Sequence, residues 1–304
     1  MKPPPFRYVR ATSLAHALET LAAHPGTAKV LAGGQSLMPM LNFHMLEPQV
    51  LVDVGGLPAL SGITESAGGL TIGALTRHHE IEASALIAQR LPVLAEAIRH
   101  VAHLGIRNRG TFAGSLAHAD PAAELPMLAR LLEARIRIAG LTSERVVPAK
   151  EFFVAALTTV LRDDEIVTAI ELPDLPQPSG WAFEEVARRA GDYALAAVGV
   201  TLTDERGMAR DVRIALGGVG ATPLRATAAE AALNGRPLTA DAAADAAMMA
   251  AADCEPMSDL HASADFRRHL VDVLVRRGLT KAGQRLDVAR SAGRRAAAPN
   301  EVEA

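Results

Sequence analysis

The chain has 304 residues, a formal net charge of -3 and a single cysteine, Cys254. The near-neutral charge argues against a general nucleic-acid binder, which would carry a basic face. One cysteine excludes both an intrachain disulfide and an iron–sulfur cluster held by this chain alone. The N-terminus lacks the apolar core of a signal peptide, and no stretch reaches the roughly 18 apolar residues of a membrane helix. The sequence therefore predicts a cytoplasmic protein without a transmembrane segment.

The first part of the chain alternates short predicted helices and strands. Prolines at positions 3–5 predict an extended start, and Ser13 is the predicted N-cap of a helix that ends near His24. Short apolar runs bounded by glycines predict the strands that follow. These runs cover residues 29–32, 50–54 and 70–72.

The next part contains more helix. Helices are predicted after Thr76 and over residues 92–103, whereas residues 104–115, with their glycines and arginines, favour a loop. Asp120 and Pro121 predict a new helix start, because aspartate is a good N-cap and proline suits the first helical position. Strands are then predicted over the following two runs. They are residues 135–138 and 166–172.

Pro176, Pro178 and Gly180 mark a linker, so the sequence predicts an α+β protein with a break near residues 174–180. Residues 288–304 are polar and alanine-rich and are predicted to be disordered. Between the linker and this tail, three strands precede three helices. The strands are predicted over 182–188, 196–203 and 212–216, and the helices begin near Thr222, Thr239 and Ala264.

The first candidate binding loop follows the predicted strand at 29–32. Its sequence is Ala32-Gly33-Gly34-Gln35-Ser36. Two adjacent glycines permit positive φ angles and turn successive N–H groups to one side, which suits a phosphate or pyrophosphate. A tight turn between strands would use the same residues, and neither a dinucleotide fingerprint of the G-x-G-x-x-G type nor a P-loop lysine is present.

The second candidate loop is rich in small polar residues and precedes the predicted helix start at Asp120. A loop of this kind before a helix is a local anion site, although an ordinary surface loop has the same composition. Two such loops on separate segments would suit the two ends of a dinucleotide. The second loop segment runs from Arg109 to Pro121, and its candidate binding residues are Thr111, Phe112, Ala113, Gly114 and Ser115.

Considered together, these segments resemble the FAD-binding medium subunits of the molybdenum hydroxylases, the group of carbon monoxide dehydrogenase and xanthine dehydrogenase. The resemblance runs in order from about residue 5 to residue 285. It is strongest in three segments and is supported by Leu161 and residues 165–173. The three segments are 32–39 (AGGQSLMP), 114–126 (GSLAHADPAAELP) and 188–195 (RRAGDYAL).

The resemblance implies an α+β fold with two domains. A PCMH-type FAD-binding domain would cover residues 1–176, with subdomains at about 1–57 and 58–176. A smaller C-terminal domain of sheet plus helices would cover residues 181–287.

The resemblance also implies a non-covalent FAD site with no catalytic residue of the protein's own. Residues 32–36 would hold the pyrophosphate, and residues 111–115 would touch the cofactor. Glu124 matches an acidic position on the adenosine side, and Leu161 matches an apolar contact near the flavin. Tyr193 matches the aromatic residue that lies against the isoalloxazine, although a tyrosine at a strand end is also typical of a core.

Two features depart from the family pattern. Residues 111–114 read Thr-Phe-Ala-Gly where many relatives have Thr-Ile-Gly-Gly, so the contacts of Phe112 and Ala113 are expected to differ in detail. Glu184 stands where xanthine dehydrogenase relatives place a lysine near the flavin. A carboxylate there would disfavour an anionic reduced flavin, which weighs against reduction of a nicotinamide.

The function implied by the resemblance is electron transfer within a larger oxidoreductase. FAD would accept electrons from [2Fe-2S] clusters on a small partner subunit and pass them to an external acceptor such as a quinone, oxygen or NAD. The clusters would in turn receive their electrons from a large molybdopterin subunit. Family analogy implies a dimer of heterotrimers. One alternative is a self-contained FAD-dependent oxidase or reductase; such oxidases often tether FAD through a histidine, where Gln35 and Ser36 stand here. The other is a non-catalytic scaffold subunit with the same fold.

The histidines give no metal site. His78 and His79, and likewise His100 and His103, lack a third ligand at suitable spacing. His118 lies within the second motif, where a hydrogen bond to the backbone or to FAD is expected.

Overall fold

The computed structural model describes residues 2–297, and its first unit is a small parallel sheet. The central strand, β3, pairs in parallel with both of its neighbours. The strands are β1 (Arg7–Arg10), β2 (Ala28–Leu31) and β3 (Val50–Asp53), and the helices are α1 (Leu14–Ala22) and α2 (Leu37–Asn42). This unit is the predicted sequence of helix and strands, with α2 directly after the first glycine loop.

The start of α1 agrees with the sequence analysis. Ser13 is its N-cap, and the Ser13 hydroxyl accepts a hydrogen bond from the His16 N–H at 3.1 Å. The buried face of the helix carries Ala17, Leu18 and Leu21, at the spacing of one helical face. These side chains share a core with the strands of the parallel sheet.

A five-stranded antiparallel sheet forms the second unit, in the spatial order β4, β5, β10, β6, β7. Alternating exposed and buried residues along β6 show that one face of the sheet covers the main core. A separate ribbon of two short strands, β8 (Phe153–Ala155) and β9 (Thr158–Thr159), lies between β7 and β10 in the chain. The sheet consists of β4 (Ile63–Ser66), β5 (Gly69–Gly73), β6 (Arg135–Ala139), β7 (Glu144–Pro148) and β10 (Ile166–Pro173).

Short helices and one 3-10 turn, Pro58–Leu60, complete this second unit. Together with the sheet they enclose the largest core of the protein. The helices are α3 (His78–Ala83), α4 (Ala85–Arg90), α5 (Pro92–Ala97), α6 (Leu104–Arg107), α7 (Phe112–His118), α8 (Glu124–Leu131) and α9 (Ala149–Phe152).

Three local predictions in this region were wrong. The helix predicted over 92–103 ends at Ala97, and the predicted loop 104–115 contains α6 and the start of α7. No helix starts at Asp120. Its carboxylate accepts a hydrogen bond from the Ala122 N–H at 2.9 Å, which closes a turn instead. The helix predicted there begins at Glu124, after Ala119 has ended α7 in a left-handed conformation with φ of 53°.

The third unit is an antiparallel sheet covered by helices on one face. Its strands confirm the three predicted runs and add a short edge strand. The first predicted helix starts later than expected, because that edge strand precedes it. The elements are β11 (Gly180–Ala187), β12 (Ala194–Glu205), β13 (Met208–Gly217), β14 (Leu224–Arg225), α10 (Thr227–Leu233), α11 (Ala240–Ala252) and α12 (Ala264–Ala297).

Helix α12 extends into the segment for which the sequence predicts disorder. The helix continues to Ala297. Its apolar positions up to Leu286 pack on the third sheet, and the Arg290 Nη1 lies 2.9 Å from a carboxylate oxygen of Asp204 on β12. Residues 298–304 of the predicted tail lie outside the described residues. The α+β class predicted from the sequence is confirmed.

Candidate functional site

The first glycine loop connects β2 to α2. Gly34 has φ of +72°, a conformation that favours glycine. Within residues 2–297, no hydrogen bond occupies the N–H groups of Gly34, Gln35 or Ser36. The Gln35 side-chain amide donates a hydrogen bond to the Gly33 carbonyl at 3.0 Å, and this bond within the loop stabilises its conformation. The loop thus offers a row of free backbone donors, as a phosphate site requires.

The second loop lies directly against the first. A Cβ on Gly33 would lie 2.4 Å from the Arg109 carbonyl oxygen and 2.9 Å from the Gly110 Cα, so only glycine permits this approach. The Arg77 guanidinium donates a hydrogen bond to the same Arg109 carbonyl. The structure therefore brings together the two loops that the sequence singled out.

Helix α7 orders the second loop. Thr111 is the N-cap, and its hydroxyl accepts a hydrogen bond from the Gly114 N–H at 3.1 Å. Phe112 and Ala113 are buried in the main core as part of the first turn of the helix. The two side chains at which the sequence departs from Thr-Ile-Gly-Gly thus point into the core.

His78 lies underneath the contact between the two loops. A Cβ on Gly110 would lie 2.8 Å from the His78 ring, and no hydrogen bond among the described residues reaches either ring nitrogen. Burial lowers the pKa of His78 to about 4. The nearby Thr111 backbone, which lies outside hydrogen-bond geometry, acts against this shift, and the charges of Arg107 and Arg77 act with it. His78 is therefore neutral at physiological pH, and its ring packs against Gly110.

Tyr193 reaches the first loop from the C-terminal half of the chain. It lies on the segment between β11 and β12 and is 55% exposed. The protein atoms around its hydroxyl raise the pKa of Tyr193 to about 12, with a further contribution from Asp120, while the neighbouring Ser36 side chain lowers it. A neutral phenol thus stands beside the glycine loop with much of its side chain open to solvent.

Glu124 is a buried carboxyl group at the first turn of α8. Burial, reinforced by the nearby Glu185 carboxylate, raises the pKa of Glu124 to about 8. His100 lies on the other side of Glu185, with 3.7 Å between the His100 Nδ1 and a Glu185 carboxylate oxygen. The second oxygen of Glu185 is buried without a hydrogen-bond partner among the described residues. Because burial and Glu185 keep Glu124 largely neutral, the Glu124 carboxyl group can donate a hydrogen bond as well as accept one.

Two further residues singled out from the sequence have the following surroundings. Leu161 is half-buried against the main core, and its N–H donates to the Thr159 hydroxyl at 3.2 Å. Glu184 faces away from Glu185, because successive side chains of β11 point to opposite faces of the sheet. Its carboxylate accepts a hydrogen bond from Lys281 of α12 at 3.3 Å. The negative charge of Glu184 is therefore paired with Lys281.

Sequence reasoning missed Arg77 and Glu185. No local motif predicts that Arg77 reaches across to the second loop, since the contact joins segments far apart in the chain. Glu185 was detectable in principle: it follows Glu184 in an alternating strand, so one of the two had to face the FAD-binding half. His118 has a pKa lowered by burial, and no hydrogen bond of its ring is found among the described residues.

Other kinds of site find no support in the part of the chain that the structure describes. Residues 2–297 contain no group of three or more histidine, cysteine or acidic side chains arranged to hold a metal ion. In the same range, no helix combines the length and the apolar character needed to cross a membrane.

The residues present fit a flavin dinucleotide. Free backbone donors, a glycine cradle too narrow for a Cβ, and a buried acid after the second loop are the groups that a pyrophosphate and a ribose diol require. Residues 4–175 match the family model described as "FAD binding domain in molybdopterin dehydrogenase". Residues 181–282 match the model described as "CO dehydrogenase flavoprotein C-terminal domain".

The similarity covers nearly the whole chain. The 6-hydroxypseudooxynicotine dehydrogenase complex subunit alpha of Paenarthrobacter nicotinovorans is 43% identical over 93% of this chain and 96% of the relative. The nicotine 6-hydroxylase medium subunit of the same organism is 38% identical over 94% of this chain and all of the relative (100%). A solved structure of carbon monoxide dehydrogenase from Hydrogenophaga pseudoflava, lacking the Mo-pyranopterin moiety, matches with a TM-score of 0.92 and 38% identity, over 94% of this chain and 99% of that one.

The resemblance identified from the sequence is thereby confirmed, and so are FAD as the cofactor and the assignment to an oxidoreductase. Both halves match in the expected order, and identity at this level extends from end to end. The chain belongs to the family of FAD-binding medium subunits of the molybdenum hydroxylases.

Proposed function

We propose that this chain is the electron-transfer flavoprotein subunit of a molybdopterin-dependent hydroxylase or dehydrogenase. It would receive electrons from [2Fe-2S] clusters of a small partner subunit and deliver them to an external acceptor. The observation that carries the proposal is the contact between Gly33 and Gly110, because it places the free backbone donors of residues 34–36 against the second loop. The bound FAD supplies the redox chemistry, and the protein supplies its position and surroundings.

The proposed roles of the residues follow from their places in the structure. The loop 32–36 would bind the pyrophosphate through its free N–H groups, and residues 111–115 would support the cofactor from the second loop. Glu124 would meet the adenosine side, where a largely neutral carboxyl group suits a ribose hydroxyl. Tyr193 would cover the flavin with its ring, and Leu161 would supply an apolar contact.

Cys254 supports a division of labour between chains. It is the single cysteine of the sequence and is buried. Burial raises the pKa of its thiol to about 12, so a thiolate ligand is disfavoured there. Iron–sulfur clusters, which cysteine thiolates hold, would therefore lie on another chain. The relatives above carry names such as "complex subunit" and "medium subunit", which agrees with such an assembly.

Further parts of the proposal rest on the family alone. They are a dimer of heterotrimers with a large molybdopterin subunit, a cytoplasmic location, and domains at 1–176 and 181–287. Matches at 4–175 and 181–282 support these domain limits. Non-covalent binding is proposed because Gln35 and Ser36 offer no histidine for a tether.

Two experiments test the proposal. The purified full chain should carry or take up FAD that is released intact by denaturation, seen as a flavin spectrum and identified by chromatography. The chain, tagged and recovered from its native cells, should co-purify with a chain rich in iron and acid-labile sulfide and another that contains molybdopterin. Purification without a cluster-bearing chain, or substrate turnover by the isolated flavoprotein, would contradict the electron-transfer role and favour the self-contained oxidase.

A further inference from the structure

The segment that carries Tyr193 crosses from the C-terminal sheet to the FAD-binding half. It leaves β11 after Ala187 and returns to β12 at Ala194, and residues 188–190 are exposed. A hydrogen bond from the Asp192 N–H to the Arg189 carbonyl, at 3.1 Å, closes its turn. The position of Tyr193 therefore depends on where the tip of this segment rests.

The tip of this segment is Gly191, which packs against the backbone of Ala102. A Cβ on Gly191 would lie 2.9 Å from the Ala102 carbonyl carbon, and Gly191 has φ of +85°. A side chain at position 191 would meet both a steric and a conformational obstacle. Gly191 thus allows the segment to touch the backbone of the FAD-binding half directly.

Ala102 itself has an unusual backbone. Its φ is 46°, a left-handed conformation that a residue other than glycine adopts only when its surroundings enforce it. Arg107 provides that enforcement. Its Nη1 donates to the Ala102 carbonyl at 2.9 Å and to the Val101 carbonyl at 3.1 Å. Its Nε donates to Glu82 at 2.8 Å, and the two side chains are only 13% and 26% exposed.

Both ends of the segment are held independently of the tip, since the Arg188 Nη1 at its start lies 2.9 Å from the His261 Nδ1. Arg267, on α12, donates to the Leu195 carbonyl at 2.7 Å. This contact fixes the start of β12 but does not reach the tip at Gly191. The tip is therefore positioned by the corner at Val101 and Ala102, which a planar guanidinium with fixed donors is suited to hold.

We propose that Arg107 is a positioning residue of the FAD site. By holding the left-handed corner at Ala102 it seats Gly191, and by seating Gly191 it sets Tyr193 beside Ser36. The proposal rests on the proposed function in one respect, namely that Tyr193 lies against bound FAD. Loss of Arg107 releases the corner, and the Tyr193 segment moves away from the glycine loop while both domains stay folded.

The first test needs no FAD. Arg188 and Arg189 are exposed in the segment, so trypsin reports on its seating. In the full chain under native conditions, Arg107→Gln should raise the initial cleavage rate at these two arginines by about tenfold, the equivalent of about 1.4 kcal/mol. Arg107→Lys, which keeps the charge and a donor, should restore part of the protection.

A matched control is Arg135→Gln on β6. The Arg135 side chain is 63% exposed, and its Nε lies 3.5 Å from a carboxylate oxygen of Glu171 on β10. This control should leave cleavage at Arg188 and Arg189 unchanged. Mass spectrometry distinguishes the sites. Unchanged cleavage in Arg107→Gln would overturn the proposal, and so would an equal rise at every tryptic site, since that indicates general destabilisation.

The second test measures FAD binding by the same variants. Arg107→Gln should weaken FAD binding by about tenfold and make the bound flavin more accessible to quenching by iodide, whereas in a Tyr193→Ala background it should change neither. Faster cleavage with unaltered FAD affinity would overturn the positioning role. A wild-type chain that binds no FAD, alone or in its complex, would instead overturn the proposed function, whatever the cleavage pattern.

Discussion

The Cα of Gly110 occupies the space that a side chain on Gly33 would need: a Cβ at position 33 would lie 2.9 Å from it. Gly33 does not have the positive φ of its neighbour Gly34, so its requirement for glycine is purely steric. The two glycine loops meet at this point, and the width of the proposed cofactor site depends on their separation.

Gly33→Ala should therefore push the loops apart and weaken FAD binding by at least about tenfold, since backbone on both sides cannot yield as a flexible side chain would. Gly140→Ala is the control, because a Cβ there would lie 3.6 Å from the nearest atom, in ordinary contact. Titration with FAD, followed by flavin fluorescence, measures both. Equal affinities for the two variants would contradict the steric argument.

Glu124→Gln should stabilise the free chain and weaken its FAD binding. The pKa of Glu124 is raised from 4.5 to about 8, so the folded state holds a proton that the unfolded state releases in this range. The contribution of Glu124 to stability is thus fully present below pH 4.5 and is lost as the pH rises to 8. The neutral amide avoids that loss, which is on the order of 3 kcal/mol at pH 7.

Urea unfolding of wild type and Glu124→Gln between pH 5 and about 8 measures the difference. The gap between the two curves should widen as the pH rises. A constant gap would mean that Glu124 is ionised in the folded chain. Gains in stability together with losses in FAD affinity are the expected pattern for a group retained for binding.

His78→Leu should remove a dependence on pH of the opposite sign. Burial lowers the pKa of His78 from 6.5 to about 4, so between these values the unfolded state binds a proton that the folded state does not. Stability is therefore present above pH 6.5 and is lost as the pH falls towards 4. The loss is on the order of 3 kcal/mol for this residue.

The control for His78 is His269→Leu, on the exposed side of α12. Unfolding curves for that variant should decline towards low pH as the wild type does, while those for His78→Leu decline less. A leucine at position 78 also removes two buried ring nitrogens that have no hydrogen-bond partner among residues 2–297. If His78→Leu declines like wild type, the ring has a hydrogen-bond partner such as bound water.

Glu96→Gln should weaken the junction between the two halves. Glu96 accepts hydrogen bonds from Lys281 at 2.8 Å and from Arg285 at 2.6 Å, both on α12. Burial raises the pKa of Glu96, but these two cations outweigh it, and the net pKa is lowered. Because all three side chains remain partly exposed, we expect a loss of about 1 to 2 kcal/mol.

Urea unfolding at low and high salt measures this loss. The difference between wild type and Glu96→Gln should shrink at high salt, as expected for partly exposed charges. Glu151→Gln is the control, because its pair with Lys150 is exposed on both sides. A loss of similar size in that control would show that the effect is not specific to the junction.

The sequence was sufficient for features encoded within a few residues. Ser13 caps its helix through a neighbour three positions away, and the strand around Ile136 alternates as its pattern predicts. The glycine pair at 33 and 34, and the resemblance carried by the motif segments, indicated the family. Helix caps and strand alternation can be predicted from the sequence because local hydrogen bonds and periodic burial depend on residues close together in the chain.

Asp120 shows where local signals fail. The same side chain that caps a helix also closes a turn, and the choice between the two depends on the left-handed end of α7 at Ala119. Phe112 is a second case. The sequence does not show where its side chain lies, and the start of α7 directs it into the core.

The sequence by itself determined the class of fold, the family and the two loops that carry glycine. Only the tertiary structure decided that Gly33 meets Gly110, that Glu185 rather than Glu184 faces the FAD-binding half, and that Arg107 supports the corner under Gly191. The physical reason is the distance along the chain. Contacts between remote segments are set by the packing of whole elements against one another, and no short stretch of sequence contains that information.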